Sequence, residues 1–194
     1  MINKKDLDTI RDQLKKSENP LFFFDDDCDG LCSFLLFRRF LGRGKGIPVK
    51  GKPMVTQEYA EKIKEYSPDK VFILDKPIVE QEFIDKVHVP IIWIDHHPPV
   101  KRKGIRYYNP RLENSKDNTP VTYWCYKIVK QDLWIALVGS VADWYIPDFI
   151  KKFAEKHKDL LPKYKKQEDV LYKTEFGNLI RIIGFLLKGK TSDV

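Results

Sequence analysis

Apolar residues recur along this chain in two alternating rhythms. Leu7, Ile10 and Leu14 lie three and four apart and predict an amphipathic helix that Asn19-Pro20 ends. The next apolar stretch, LFFF (21–24), is short and continuous, the pattern of a strand buried on both faces. Gly30 and then LCSFLLFRRFL predict a buried helix, GRGKGIP reads as a loop, and KPMV reads as a second strand ahead of the amphipathic TQEYAEKIKEY. The alternation continues with a strand in KVFIL (70–74), a helix in IVEQEFIDKV and a strand in PIIWI (90–94). A short strand, IRYYN, closes on Asn109-Pro110, and PVTYWCYKIV and LWIALVGSVADWY read as two apolar helices. Continuous apolar strands separated by helices predict an α/β fold, doubly wound, with a mainly parallel sheet and helices on both faces. From about residue 147 the pattern turns to lysine-rich helices. The predicted organisation is therefore one α/β domain over residues 1–146 and a helical extension or linker over 147–194.

The polar residues that interrupt this pattern collect at strand ends. LFFF runs into Asp25, Asp26, Asp27 and Asp29; KVFIL ends on Asp75; PIIWI ends on Asp95, His96 and His97. In open parallel sheets the carboxyl ends of the strands line the ligand crevice. Asp143 joins them from the apolar helix ALVGSVADW, where a buried carboxylate needs a partner. Taken singly, each feature has a plainer reading. Asp75 alone would be a helix N-cap, and DDDCDG alone a turn, since the position where an EF-hand loop needs its bidentate glutamate is apolar. Their coincidence at neighbouring strand ends is what makes a site. Carboxylates with one or two histidines and no thiolate suit hard or borderline divalent cations, Mg²⁺ or Mn²⁺ before structural Zn²⁺. So many acids suggest two metal ions sharing a bridging carboxylate.

Composition narrows the setting. At 194 residues, 42% of them hydrophobic, the chain can bury a sizeable core. It has no run of 18 uncharged apolar residues, and its first 20 residues are charged and amphipathic. The expectation is a cytoplasmic protein with no membrane partner. Cys28, Cys32 and Cys125 are odd in number and form no CxxC pair, so they read as small packing residues. The net charge is +7, and residues 151–194 alone hold eleven Lys/Arg against six Asp/Glu. That balance suits a polyanionic partner, or simply a solvated helical face.

Four stretches, in order, resemble the motifs of the DHH phosphoesterases: FDDDCDG with Ser33, VFILD, WIDHHPP and GSVADW, together spanning residues 22–145. The D-x-D-x-D-G form is similar to RecJ-type single-strand nucleases, the archaeal type above all. The histidine that superfamily pyrophosphatases place four residues before the middle aspartate is Phe23 here. The resemblance implies two divalent ions, Mn²⁺ or Mg²⁺. Asp27 and Asp75 would hold one, with Asp25 completing its site. Asp29, Asp75, His96 and Asp143 would hold the other. It implies that His97 faces the scissile phosphate and that Asp95 orients the histidine pair from behind. Ser33 and Asn109 become supporting polar positions, and Asp26 an exposed bystander.

The function this resemblance implies is a metal-dependent phosphodiesterase, a RecJ-like exonuclease acting on single-stranded DNA or RNA through a metal-activated water. Two alternatives accompany it. One is a weakly catalytic or non-catalytic scaffold associating with GINS or replicative helicase proteins; the other is a phosphodiesterase for short oligonucleotides or cyclic dinucleotides. RecJ-like proteins carry a second, C-terminal domain that grips the nucleic-acid backbone. This chain ends in GFLLKGKTSDV, where the linker to such a domain would be under way. The expectation is an open cleft, weak substrate binding and slow turnover.

Overall fold

A computed structural model describes residues 1–189. Its centre is a five-stranded sheet built from β1 (Pro20–Asp25), β2 (Lys45–Val49), β4 (Lys70–Leu74), β6 (Ile91–Ile94) and β7 (Arg106–Tyr108). The spatial order is β2-β1-β4-β6-β7, and every neighbouring pair is parallel. Side chains alternate between the two faces, as strand geometry requires. Phe22, Phe24, Phe72, Leu74, Ile92 and Ile94 enter one apolar cluster. Leu21, Phe23, Val71, Ile73, Ile91 and Trp93 enter the other. The first face is covered by α1 (Lys4–Lys15), α2 (Cys28–Leu41), α5 (Val121–Val129) and α6 (Leu133–Ala142), the second by α3 (Ala60–Tyr66) and α4 (Gln81–Lys86). Because both faces are buried, the central strands must be apolar throughout, which is why they read as continuous runs. The fold is the expected α/β arrangement.

Three local expectations are corrected. GRGKGIP is not a loop, because Lys45–Val49 within and beyond it forms the edge strand β2 against β1. Its Pro48 is tolerated because an edge strand has one side unpaired. KPMV contributes only β3 (Met54–Val55), outside the main sheet, paired with β5 (Ile78–Val79) in a separate two-stranded ribbon. That pairing removes Ile78 and Val79 from the predicted helix IVEQEFIDKV, which begins at Gln81. All three cysteines are free and buried, as their packing role requires.

Beyond residue 147 lie α7 (Ile150–Lys156), α8 (Gln167–Lys173) and α9 (Glu175–Leu187). Residues 190–194 of the predicted extension fall outside the described residues. Lysines cover the outside of these helices, but Phe153, Val170, Leu171, Phe176 and Ile180 join the same apolar cluster as β1 and α2. No helix among the described residues is long and apolar enough to cross a membrane.

The chain leaves β1 toward β2 on one side and returns to β4 on the other, so the strand order reverses between β1 and β4. That switch point opens a crevice at the strands' carboxyl ends, and α2 starts in it. Gly30, in the first turn of α2, lies against the end of β1. A Cβ there would sit 2.5 Å from the Asp25 carbonyl oxygen and 2.6 Å from its nitrogen. Glycine is needed for this close approach of backbone to backbone and not for any unusual φ. Gly30→Ala should therefore lower stability by about 1–3 kcal/mol, read as an earlier urea midpoint at unchanged slope. A midpoint equal to that of the native chain would refute the tight contact.

Candidate metal centre

The acids that follow the apolar run of β1 take up different tasks. Asp25 is the last residue of β1, and its Oδ1 accepts from Lys76 Nζ at 2.9 Å. Lys76 is 1% exposed and donates also to the carbonyls of Lys52 (2.8 Å) and Val49 (3.5 Å). Burial pushes the Asp25 carboxyl above its ordinary range despite this ammonium, which pulls it down. Asp26 is half-buried rather than fully exposed, and its carbonyl accepts from Lys188 Nζ at 3.2 Å. Asp27 is the N-cap of α2, accepting from Gly30 N at 2.9 Å.

Asp29 is buried inside the first turn of α2, where it accepts backbone N–H groups from Val121 (2.9 Å) and Thr122 (2.7 Å). These are the first residues of α5, whose own N-cap position, Pro120, offers no side-chain cap. Asp29 thus caps a second helix across 92 residues of chain, and its negative charge suits that helix terminus. Ser33 lies behind it, its hydroxyl 3.2 Å from that of Thr122. It ties α2 to α5.

Asp75 follows β4 in the left-handed region, at φ 59°. A non-glycine residue held there is strained, and such strain clusters at functional sites. Its buried Oδ1 has no hydrogen-bond partner among the described residues and lies 3.4 Å from His96 Nε2. His96 Nδ1 lies 3.4 Å from the Asn118 carbonyl and 3.7 Å from Asp143 Oδ2. Asp143 is the C-cap of α6, one residue beyond the helix, and its buried Oδ2 is likewise without a hydrogen bond among the described residues.

Asp95 is buried and touches only one of the two histidines. Its Oδ1 is 2.7 Å from His97 Nδ1, and its Oδ2 accepts from His97 N, Tyr107 Oη and Asn109 Nδ2, each at 3.1 Å. The expected orientation of both histidines by Asp95 is corrected to His97 alone. Asn109 also donates to the His97 carbonyl at 2.9 Å. Burial lowers the His97 pKa, but the hydrogen bond and charge of Asp95 outweigh it and leave the imidazole raised.

These residues form three overlapping groups whose ligand atoms lie within 4.8 Å of one another: Asp25, Asp27 and Asp75; Asp29, His96 and Asp143; Asp75, His96 and His97. All six expected ligands converge, and His97 enters as a seventh donor. Sequence reasoning missed Lys76, Tyr107, Thr122 and Asn118. Only Lys76 left a trace, as the single cation in the apolar stretch FILDKPIV.

Burial raises Asp75 well above its ordinary range, and the charges of Asp29, Asp27, Asp95 and Asp25 add to this. Asp29 is also raised by burial, against the pull of His96. Asp143 is pushed up to about 7 by burial, then by Asp29 and Asp27. Buried polar atoms are nearly always paired. Two orphaned carboxylate oxygens amid four further acids mark a cluster short of positive charge. Its hard oxygen donors and one or two imidazoles are those a divalent cation takes.

Two consequences can be measured. A carboxyl raised on folding keeps its proton in the folded state where the unfolded chain has lost it, so stability falls as pH rises between those values. For Asp143 that window runs from about 4 to about 7. In chelating buffer the Tm should fall from pH 5 to pH 8, and Asp143→Asn should flatten the slope and raise the Tm at pH 8. A lower Tm for the variant at pH 8 would contradict the electrostatic account. Lys76→Met removes one partner of a buried pair and should cost about 3–5 kcal/mol. Adding Asp25→Asn should recover part of that loss in urea unfolding; additive losses would show that the two side chains are uncoupled.

The profile of the DHH family, N-terminal domain, matches residues 21–143. No curated protein matches the sequence. Among solved structures, the chain is similar to RecJ from Thermus thermophilus in complex with Mn²⁺, at TM-score 0.59 and 14% identity, over 100% of this chain and 36% of that one. It is similar to an exonuclease RecJ bound to manganese at TM-score 0.60 and 16% identity, over 96% of this chain and 62% of that one. CDC45 from Entamoeba histolytica matches at TM-score 0.50 and 14% identity, over 81% and 39%. The chain therefore spans between about one third and three fifths of the RecJ structures, and at these identities the likeness is one of fold. With its four motifs converging at the carboxyl ends of a parallel sheet, the chain belongs to the DHH family and carries its N-terminal domain over residues 21–143.

Proposed function

We propose that the chain is a metal-dependent phosphodiesterase acting on single-stranded nucleic acid. The observation that carries this reading is the pair of orphaned, buried carboxylate oxygens on Asp75 and Asp143, facing a hard-donor cluster in the sheet's crevice. Asp27, Asp75 and Asp25 would hold one divalent ion, Mn²⁺ or Mg²⁺. Asp29, Asp75, His96 and Asp143 would hold the other. The manganese in both RecJ structures supports that choice of ion. When bound, such ions lower the pKa of a coordinated water and neutralise charge on a phosphoryl group.

The protein side chains do the rest. Asp75 would be the shared ligand, a role supported by its place in the group with Asp25 and Asp27 and in the group with His96 and His97. Asp95 accepts from His97 at Nδ1, which sets the tautomer and leaves Nε2 out of that bond. As an imidazolium, His97 would oppose the phosphate's charge and pass its Nε2 proton to the leaving oxygen, ending neutral with Nδ1–H on Asp95. Lys76 stays behind Asp25 as a fixed internal cation.

A second reading makes the chain a scaffold in a replication assembly with GINS or helicase proteins. The exposed Leu179, Ile182, Phe185 and Leu186 along α9 favour it as a docking surface. Hydrolysis separates the two. Single-stranded DNA and RNA of graded length, labelled at the 5′ or the 3′ end, are incubated with Mn²⁺ or Mg²⁺. The native chain should shorten them, and Asp75→Asn should lower the rate by roughly 10²–10³-fold or more while remaining folded. Equal cleavage by native and variant protein would assign the activity elsewhere. No cleavage at any length would leave the scaffold reading standing.

A further inference from the structure

The turn that carries Asp143 also presents an unexplained aromatic. After α6, Tyr145 N bonds to the Ser140 carbonyl (2.9 Å) and Trp144 N to the Val141 carbonyl (3.2 Å). This is a Schellman ending, with Trp144 at the left-handed position that glycine normally fills. Trp144 adopts φ 56° there, strained for a bulky residue, and its side chain is left largely exposed. A single turn thus points a candidate ligand inward and an indole outward.

Trp144 does not stand alone. Tyr172, from α8, is also exposed, and its ring centroid lies 6.4 Å from that of Trp144 at 52°. The two rings form an open V. Arg181, from α9, lies 5.8 Å from the Tyr172 ring centre and is held by the Leu171 carbonyl and Asn178. All three line a cavity of about 270 Å³ together with Asp27, Asp29, Asp143 and Lys188. Ala142, Leu171 and Ile180 add apolar surface to the lining. The lining thus offers two aromatic rings and apolar side chains to a flat group, and the cations Arg181 and Lys188 to an anion. The volume falls just below the roughly 300–1,000 Å³ of drug-sized ligand pockets. It suits one nucleoside unit and not a run of stacked bases.

We propose that this cavity is a nucleobase subsite, in which the base next to the reacting phosphate stacks on Trp144 and Tyr172. Its placement beside the reacting phosphate rests on the phosphodiesterase reading. Stacking on aromatic side chains tolerates every base, because each has a π-face. Arg181 and Lys188 then contact a flanking phosphate.

AMP and ribose 5-phosphate, which share the phosphate and differ by the base, are the probes. Both are titrated calorimetrically into the native chain with Mn²⁺ present. AMP should bind clearly more tightly. Trp144→Ala and Tyr172→Ala should each weaken AMP by roughly 5- to 100-fold and leave ribose 5-phosphate unchanged, and Trp144→Phe should restore most of the loss. Because both rings are exposed, the variants should keep the native urea midpoint. Undetectable AMP binding, equal affinity for the two probes, or native AMP affinity in both alanine variants would overturn the subsite. If base-dependent binding holds while oligonucleotide hydrolysis is absent, the phosphodiesterase reading falls and the subsite remains.

Discussion

Mutual repulsion among buried carboxylates is the constraint around which this molecule is arranged. Asp25, Asp27, Asp29, Asp75, Asp95 and Asp143 approach one another at one end of the sheet, and Asp29, Asp75 and Asp95 are fully buried there. Burial and like charge both work against the ionised form of a carboxylate in such a cluster. The fold answers with fixed positive or donating groups, a different one for most of the acids. Lys76 faces Asp25, the start of α5 faces Asp29, the Gly30 amide faces Asp27, and His97, Tyr107 and Asn109 face Asp95. Asp75 and Asp143 have no such answer among the described residues. The charge deficit is concentrated on Asp75, which two ligand groups share, and on Asp143, which closes the third, and that is where an external cation has most to gain.

This division of labour explains why the site sits where it does. The strand order reverses between β1 and β4, and the crevice there receives the ends of β1, β4 and β6. Asp25, in step with Phe23 along β1, points toward Lys76, while Asp29 on the first turn of α2 points toward α5. Successive residues can therefore serve separate partners without competing. The same tight entry forbids a Cβ at Gly30.

Legibility in the sequence follows burial. LFFF, KVFIL and PIIWI are readable because a central parallel strand must be apolar on both faces. Lys45–Val49 is not, since an edge strand tolerates Lys45, Gly46 and Pro48, which imitate a loop. Ile78 and Val79 read as part of a helix because two residues carry no period of their own. Among the polar residues, the acids are readable because they stop an apolar run at a strand end. Lys76 is not, because its burial depends on Asp25, Lys52 and Val49, which lie 24 to 51 residues away. Thr122 and the capping role of Asp29 are hidden for the same reason, being products of how α5 docks on α2.

The C-terminal helices show how a lysine-rich surface can conceal a structural role. Composition marks them as solvated, yet Phe176 is buried and a Cβ on Gly177 would sit 2.2 Å from the Leu171 carbonyl oxygen, so α9 is pressed against the end of α8. That contact fixes Tyr172 and Arg181 opposite Trp144. The crevice accordingly has two walls of different chemistry. One comes from strand ends and gathers acids; the other comes from helix ends and gathers aromatic and basic groups. Under the proposed function the two walls would serve one substrate, the first drawing a phosphate through the cations it would hold and the second meeting flat, apolar bases. Loosening α8 or α9 would leave the acids in place and remove the aromatic and basic wall that faces them.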